Sequence, residues 1–236
     1  TKHIIDTQPR SPLVLVPAGN FRAGSTNEEI RAAALMAKKH HPSIQVKWFA
    51  DELPAREVYL PSFYIEKTEV TFQEYLWRNE KAPDISEQNQ LGIINQFRWS
   101  LNGRLNSWKQ PMTNITWFDA AKFCGRRGRR LPTSDEWEKA ARGIDGRIFP
   151  WGNTFQKNRL NSLESSLLSS VSVGSFPKGS SPYGILDLAG NVWEWVADWK
   201  NFTAGEKDRK KLIRGGVWGY NQAFSRTANM GAANPN

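Results

Sequence analysis

The chain has 236 residues, of which 39% are apolar and 12% aromatic, including 11 tryptophans. This length suits one hydrophobic core, and no window approaches the roughly 18 consecutive apolar residues of a membrane-spanning helix. The formal net charge of +9 favours acidic partners, but no recognised nucleic-acid motif accompanies it, so binding to nucleic acid is not expected. A single cysteine, Cys124, excludes an internal disulfide and leaves cytosol and periplasm both open.

The first elements in chain order are short. A strand is predicted at 13–16, followed by a helix at 27–41 in which apolar residues alternate with charges and Asn27 is a plausible cap. The residues after this helix, 56–65, read as extended, and 58–65 are the better strand candidate.

Capping boxes predict the next helices. In such a box, a hydroxyl and an acid three residues later satisfy each other's free backbone amides. The pairs are Thr71 with Glu74, Thr116 with Asp119, and Thr133 with Glu136. The two central helices are therefore expected at 117–126 and 134–142, with Gly125 or Gly128 ending the first and Gly143 the second.

The remaining segments are mostly loops. Residues 82–109, rich in Asn and Gln, predict a long ordered loop, and the serine-rich run 162–172 predicts another. A strand is expected at 213–218. It contains Gly215 and Gly216, a pair that suggests a close approach of the backbone to a neighbouring strand or ligand.

Several ordered sequence blocks carry a family resemblance: VPAGNF at 16–21, FYIEKTEVTFQEY at 63–75, NITWFDAAKFC at 114–124, RLPTSDEWEKAARG at 130–143, FPWGN at 149–153, VGSFP at 173–177, YGILDLAGNVWEWVADW at 183–199 and RGGVW at 214–218. In this order they resemble the formylglycine-generating enzyme and sulfatase-modifying-factor family. Because the blocks span most of the chain, the resemblance applies to residues 1–236 as a whole.

The resemblance implies a single α+β domain with little regular secondary structure, a variant of the C-type-lectin-like fold. Residues 27–50 interrupt the family pattern and are interpreted as a helical insertion. The Gly-Phe-Arg strand with which the family closes has no match up to Asn236. Either the chain continues, or another segment completes the fold.

The family's chemistry does not transfer simply. Its enzymes oxidise a substrate cysteine with two copper-binding cysteines, whose positions here hold Tyr220 and Ser225, while the serine after the glycine pair is replaced by Val217. Neither a phenol nor a hydroxyl replaces a thiolate as a ligand for Cu(I), so copper is not expected. Cys124 shares a helical face with Trp117 and Ala121 and is interpreted as a buried structural cysteine.

The block DLAGNVWE resembles the family's calcium site. The resemblance assigns side-chain oxygens to Asp187 and Glu194 and backbone carbonyls to Gly190 and Val192, which suits a hard cation with a structural role. The alternative is that the two acids cap turns and pair with nearby arginines. A second calcium site, at Asn161, is not expected because the Asp-Gly pair that would complete it is absent.

The segment after the glycine pair is rich in amphipathic and hydrogen-bonding side chains, a composition typical of recognition surfaces, and in the family it lines the substrate groove. With the tryptophan of the calcium block, the candidate ligand-binding residues are Trp193, Trp218, Tyr220, Asn221, Gln222, Ser225 and Arg226. Plain core and loop packing, or undetected catalysis, remain as alternatives.

The leading hypothesis is a binding or accessory module for a protein segment or small polar ligand, with structural calcium. Membership of a multi-subunit assembly is compatible with this hypothesis. The alternatives are a divergent tailoring or maturation oxidase, for which no catalytic residue is assigned, and a structural subunit of a larger assembly. A periplasmic or envelope location is slightly favoured over the cytoplasm.

Overall fold

A computed structural model describes residues 11–77, 107–200 and 209–236, and within them the strands form three small antiparallel sheets. Strand β1 (Leu13–Val16) pairs with β4 (Phe63–Glu66), and β2 (Gly19–Ala23) pairs with β3 (Arg56–Leu60). The third sheet has the order β5 (Glu194–Trp199), β6 (Lys211–Arg214) and β7 (Met230–Ala233). These sheets are joined by long turns, as expected for a fold with little regular structure.

Four helices lie in the described ranges: α1 (Asn27–Lys38), α2 (Phe72–Trp77), α3 (Trp117–Arg126) and α4 (Ser134–Arg142). The predicted bounds of α3 and α4 are confirmed, and complete capping boxes begin both. The cap of α1 is Thr26 rather than Asn27, because the Thr26 hydroxyl and the Glu29 carboxylate form the reciprocal box. The helix also ends before residue 41, since the amides of His40 and His41 both donate to the carbonyl of Ala37 in a final turn.

Two strand predictions need correction. Residues 58–65 do not form one strand, because the chain leaves the β2–β3 sheet at Pro61 and enters the β1–β4 sheet at Phe63. The strand predicted at 213–218 ends at Arg214, because Gly215 (φ 93°) and Gly216 (φ 85°) adopt left-handed backbone conformations. Most of the predicted loop 82–109 lies outside the described residues, and so this prediction is not tested.

Helix α4 lies at the centre of the main core. Its Trp137 side chain is fully buried and belongs to a cluster with Val16, Ile185 and Val196, so the helix packs between the first and third sheets. At the next position, the buried Glu138 carboxylate accepts hydrogen bonds from Arg142 (2.7 Å) and Arg214 (2.8 Å). This ion-pair cluster fixes β6, which leads into the glycine pair, against α4.

A second cluster attaches the predicted insertion to the C-terminal part of the chain. The apolar face of α1, with Ile30 and Ala33, packs with Phe49 from the 3₁₀ turn Val46–Glu52 against Ala223 of the 3₁₀ turn Gln222–Ser225. The candidate recognition segment therefore rests on residues of the insertion. Taken together, the described elements form a mixed helix and sheet single domain, and none of its described helices has the length and apolarity to cross a membrane.

Candidate functional site

The first candidate site is the carboxylate turn, residues 187–194, which leads into β5. Its backbone is forced into left-handed conformations at Asp187 (φ 63°), Gly190 (φ 78°) and Asn191 (φ 60°). A Cβ on Gly190 would lie 2.1 Å from the carbonyl oxygen of Asn161, so only glycine fits here. The turn is thus held in one shape by contact with a separate loop.

Within the described ranges, the two acids of this turn accept hydrogen bonds and form no ion pairs. Asp187 Oδ2 accepts from the amide of Gly174 at 2.7 Å, and Glu194 Oε2 accepts from Trp137 Nε1 at 3.0 Å. Among the described residues, no lysine, arginine or histidine pairs with either acid. Within the described residues, the turn-capping half of the alternative is met by Asp187, which accepts from a loop amide, while its pairing with arginines is not seen.

A third carboxylate, Glu69, lies beside this turn and was not found by sequence reasoning. Its side chain is buried and accepts from Asn191 Nδ2 at 2.6 Å and from the Val192 amide at 3.3 Å. No local pattern could reveal this contact, because 122 positions separate Glu69 from Asn191. The only sequence signal is its place inside the FYIEKTEVTFQEY block.

These three carboxylates lie close enough to repel one another. Burial raises the pKa of Asp187 to about 6 and that of Glu194 to about 8, and the charge of Asp187 adds to the second shift. The pKa of Glu69 is also raised well above its usual value, by burial and by the charges of Asp187 and Glu194. Such a cluster of buried acids favours either bound protons or a cation.

The backbone brings further oxygens to the same place. A Cβ on Gly215 would lie 3.7 Å from the Val192 carbonyl oxygen and 3.8 Å from Glu194 Oε1, so two of the predicted ligand atoms face the same glycine. Across the described ranges, no group of three or more His, Cys, Asp or Glu side chains is arranged to hold a metal ion. A cation here would therefore depend on backbone carbonyls as well as carboxylates.

The second candidate site is the recognition segment, residues 217–226. Its most exposed predicted residue is Tyr220, which is 46% exposed and packs edge-on against Trp193 at 6.3 Å and Phe224 at 5.2 Å between ring centroids. Trp218 and Gln222 are half-buried. These side chains form an aromatic surface with a polar edge.

Three residues predicted for this surface lie inside the protein instead. Arg226 is only 5% exposed and forms a two-pronged ion pair with Glu52, whose oxygens lie at 2.5 and 3.0 Å. Asn221 and Ser225 are fully buried, and Asn221 caps the 3₁₀ turn by accepting from the Ala223 amide. All three are buried because this turn packs against the insertion, and their ligand-binding role stays a prediction.

The positions of the two family cysteines differ in environment as well as chemistry. Tyr220 is exposed, whereas the buried Ser225 hydroxyl has no hydrogen-bond partner among the residues that the structure describes. A Cβ on Gly216 would lie 2.7 Å from the Phe224 carbonyl oxygen, which confirms the crowding expected at the glycine pair. Cys124 lies half-buried on α3, and burial raises the pKa of its thiol to about 11, so the thiol stays protonated.

The architecture has counterparts among solved structures. Treponema denticola variable protein 1 superposes with a TM-score of 0.66 at 19% identity, covering 94% of this chain and 89% of its own. PvdO from Pseudomonas aeruginosa gives a TM-score of 0.60 at 20% identity, covering 98% and 95%. At such identities the likeness establishes the fold alone. That fold is the formylglycine-generating-enzyme variant of the C-type-lectin-like fold.

Sequence comparison gives the family. The model of the sulfatase-modifying factor enzyme 1-like domain matches residues 2–236. "Inactive C-alpha-formylglycine-generating enzyme 2" of Bos taurus is 30% identical over 87% of this chain and 76% of the relative. The "Formylglycine-generating enzyme" of Bos taurus is 28% identical over 81% of this chain and 59% of that enzyme. The chain belongs to the sulfatase-modifying factor enzyme 1-like domain family.

Proposed function

We propose that this chain is a formylglycine-generating-enzyme-like domain that works as a binding or accessory module and not by copper chemistry. The observation that carries the proposal is the replacement of both family cysteines by Tyr220 and Ser225, one an exposed phenol and the other a buried hydroxyl. Cu(I) prefers soft thiolate ligands, which neither side chain supplies. A relative that matches most of this chain bears the name of an inactive enzyme, which supports the same interpretation.

The remaining cysteine does not replace the missing pair. Cys124 lies on α3, packed beside the cluster of Phe72, Tyr75 and Phe123. The thiolate is the metal-binding form, and the raised pKa of this thiol keeps it neutral at physiological pH. Cys124 therefore serves as a packing residue.

The ligand of the module is a protein segment or a small polar molecule, held at the aromatic surface of Trp193, Trp218, Tyr220 and Gln222. Large, stiff aromatic side chains provide contact area at a low entropic cost, and the Gln222 amide adds adaptable hydrogen bonding. The hydrogen bond from the Gly190 amide to the Gly215 carbonyl (2.8 Å) and the crowding of Gly216 against Phe224 restrain the backbone beside this surface before binding. Preorganisation of this kind favours recognition.

Native mass spectrometry of the protein purified from its own host tests the binding role. The expected spectrum shows a stoichiometric partner that is retained by wild type and lost by the Tyr220→Ala and Trp218→Ala variants. Tyr64→Ala is the matched control, because Tyr64 is 65% exposed but lies on β4 and not in the recognition segment. A free monomer that carries copper, iron or an organic cofactor would overturn the proposal.

A second candidate function, an enzyme of altered chemistry, has one observation in its favour. Asn221 Nδ2 and Ser225 Oγ are buried and have no hydrogen-bond partner in the described part of the chain. Buried polar groups without partners are found at ligand and catalytic sites. Both atoms belong to the segment that presents Tyr220. The two functions differ in turnover. An enzyme should show turnover that Tyr220→Phe abolishes while partner binding is kept, whereas a binding module should show no turnover in either wild type or variant.

Calcium at the carboxylate turn is part of the proposal. Asp187 and Glu194, with the carbonyls of Gly190 and Val192, would hold the ion, which would neutralise the buried acids and tie loops that lack sheet hydrogen bonds. The donor set fits, because hard oxygen ligands dominate and no described cation already compensates the charge. Isothermal titration with calcium should show one site of stoichiometry one, and no heat of binding would refute the assignment.

A further inference from the structure

A groove lies beside the recognition segment. It has a volume of about 570 Å³ and is lined by Lys39, His40, Phe155, Lys157, Glu164 and Gln222, among others. We call it the lysine groove. Its walls come from four parts of the chain: the C-terminal end of α1, the loop before residue 160, and the 3₁₀ turns Leu163–Ser165 and Gln222–Ser225.

The groove carries an excess of positive charge. Lys39 and Lys157 are both exposed, and neither forms an ion pair with any described residue. The single carboxylate, Glu164, is already engaged: its oxygens accept from the Gln222 amide at 2.9 Å and the Ser162 hydroxyl at 2.7 Å, and His40 Nε2 lies 3.8 Å away. The groove is therefore lined by two lysines without ion pairs to described residues and by one carboxylate that already accepts hydrogen bonds from the protein.

The helix dipole explains only part of this arrangement. A lysine at the C-terminal end of a helix is favoured by the partial negative charge of the last carbonyls, which accounts for Lys39. Lys157 lies on a different segment and gains nothing from that dipole. Lysines from two separate segments thus line one groove, where their charges would attract an anionic ligand.

The groove is continuous with the recognition segment. Gln222 belongs to both, and the Leu163 amide donates to the Tyr220 carbonyl at 3.0 Å, so the groove wall is attached to the backbone that presents Tyr220. Phe155 adds an aromatic wall, which suits the aliphatic part of an amino-acid side chain. A ligand that extends from Tyr220 would enter the groove.

We propose that the lysine groove binds the carboxylate side chains of an acidic protein segment. This inference rests on the binding role proposed above and names the chemistry of the partner. Lysines are flexible point charges, and they suit carboxylates whose positions vary along an extended segment, whereas fixed bidentate recognition uses arginine. The net charge of +9 adds long-range attraction for such a segment.

Fluorescence anisotropy with the full chain and a labelled hexaglutamate peptide tests the proposal. Wild type should bind, and Lys39→Glu with Lys157→Glu should weaken binding by roughly tenfold or more, because two exposed pairs become repulsions. Lys122→Glu with Lys210→Glu is the matched control: it changes net charge equally at two exposed lysines outside the groove. The control pair should weaken binding by less than about threefold, through long-range charge alone.

Three results of the anisotropy assay would overturn the proposal. The first is an absence of binding at millimolar peptide, and the second is an equal loss in the groove and control pairs. In the third, an oligothymidylate of equal charge binds more tightly and loses that binding in the groove variant, which would identify nucleic acid as the ligand. Loss of a host partner by Tyr220→Ala but not by the groove variant would leave the binding role standing and remove the acidic-segment inference. Circular dichroism of each variant confirms that it is folded.

Discussion

Replacing Arg226 by alanine should destabilise the fold and not merely weaken a surface contact. The guanidinium is almost fully buried, pairs with Glu52 through two oxygens, donates to the Ala223 carbonyl at 2.9 Å, and lies 5.1 Å from the centre of the Phe49 ring. Removing one partner of a buried ion pair leaves an uncompensated charge, which costs about 3–5 kcal/mol. Such a loss is a large part of the roughly 5–15 kcal/mol by which domains are stable.

The assay is urea unfolding, supported by thermal melts. For a chain of this size, a loss of this magnitude corresponds to a fall in melting temperature of roughly 6–20 °C. Arg31→Ala is the matched control, since Arg31 is exposed on α1 and should change stability by less than about 0.5 kcal/mol. The double variant Glu52→Gln with Arg226→Met should recover much of the loss, because it leaves no buried charge.

The opposite pattern would refute the reasoning. If Arg226→Ala changes the free energy of unfolding by less than about 1 kcal/mol, yet abolishes partner binding, Arg226 faces a ligand and not Glu52. The double-variant measurement protects the test against simple misfolding, because a folded double variant can be compared with each single change.

Four other expectations can be tested with purified protein. Calcium should raise the melting temperature in scanning calorimetry, and Asp187→Asn or Glu194→Gln should abolish the rise; a wild-type curve that ignores both calcium and chelator would refute the site. Glu69→Gln should lower calcium affinity in titration calorimetry by roughly tenfold, because a neighbouring charge is lost, and unchanged affinity would exclude Glu69 from the site. The Glu194 carboxyl, with a folded pKa of about 8 against an ordinary value of 4.5, holds a proton that the unfolded chain releases. Its contribution to the stability of calcium-free protein should therefore fall from about pH 5 to pH 8, measured as wild type minus Glu194→Gln, and a rise would contradict the assignment. Gly216→Ala should cost about 1–3 kcal/mol in urea unfolding, because the backbone conformation is left-handed and a carbonyl oxygen blocks the added methyl. Gly219→Ala, with open space at its Cα, should cost less than 1 kcal/mol, and equal losses would show that crowding at Gly216 is not the cause.

Local signals made the helices predictable. The boxes at Thr116 and Thr133 mark helix starts through hydrogen bonds that span three residues, and glycine marks the end of α4, so the bounds follow from short stretches of sequence. At α1 the same three-residue spacing joins Thr26 to Glu29, but the neighbouring Asn27 is also a residue type that caps helices, so sequence alone does not separate the two. The fold class was predictable only from the family resemblance of the sequence blocks, because no local pattern specifies three small sheets.

Long-range contacts explain what sequence reasoning missed. The composition of residues 217–226 is that of a surface, yet Arg226 is buried because Glu52 lies 174 positions earlier in the chain and meets it in the folded protein. Glu69 is hidden for the same reason. The prediction of one strand at 58–65 was wrong for a different reason. Most of these residues favour extended backbone, but the first half pairs with β2 and the second half with β1, and this division is a long-range property.

The attachment of the insertion to the 3₁₀ turn Gln222–Ser225 has a consequence for how the surface could diversify. Ala223 and Phe224 pack on α1 and Phe49. The backbone hydrogen bonds of the recognition segment and of the insertion should therefore open together in amide hydrogen exchange. Substitutions in the apolar face of α1 or at Phe49 would shift Tyr220 without altering any residue of the proposed binding surface. The binding surface proposed for this segment would therefore change through residues 27–50 while the three sheets and α4 stay constant.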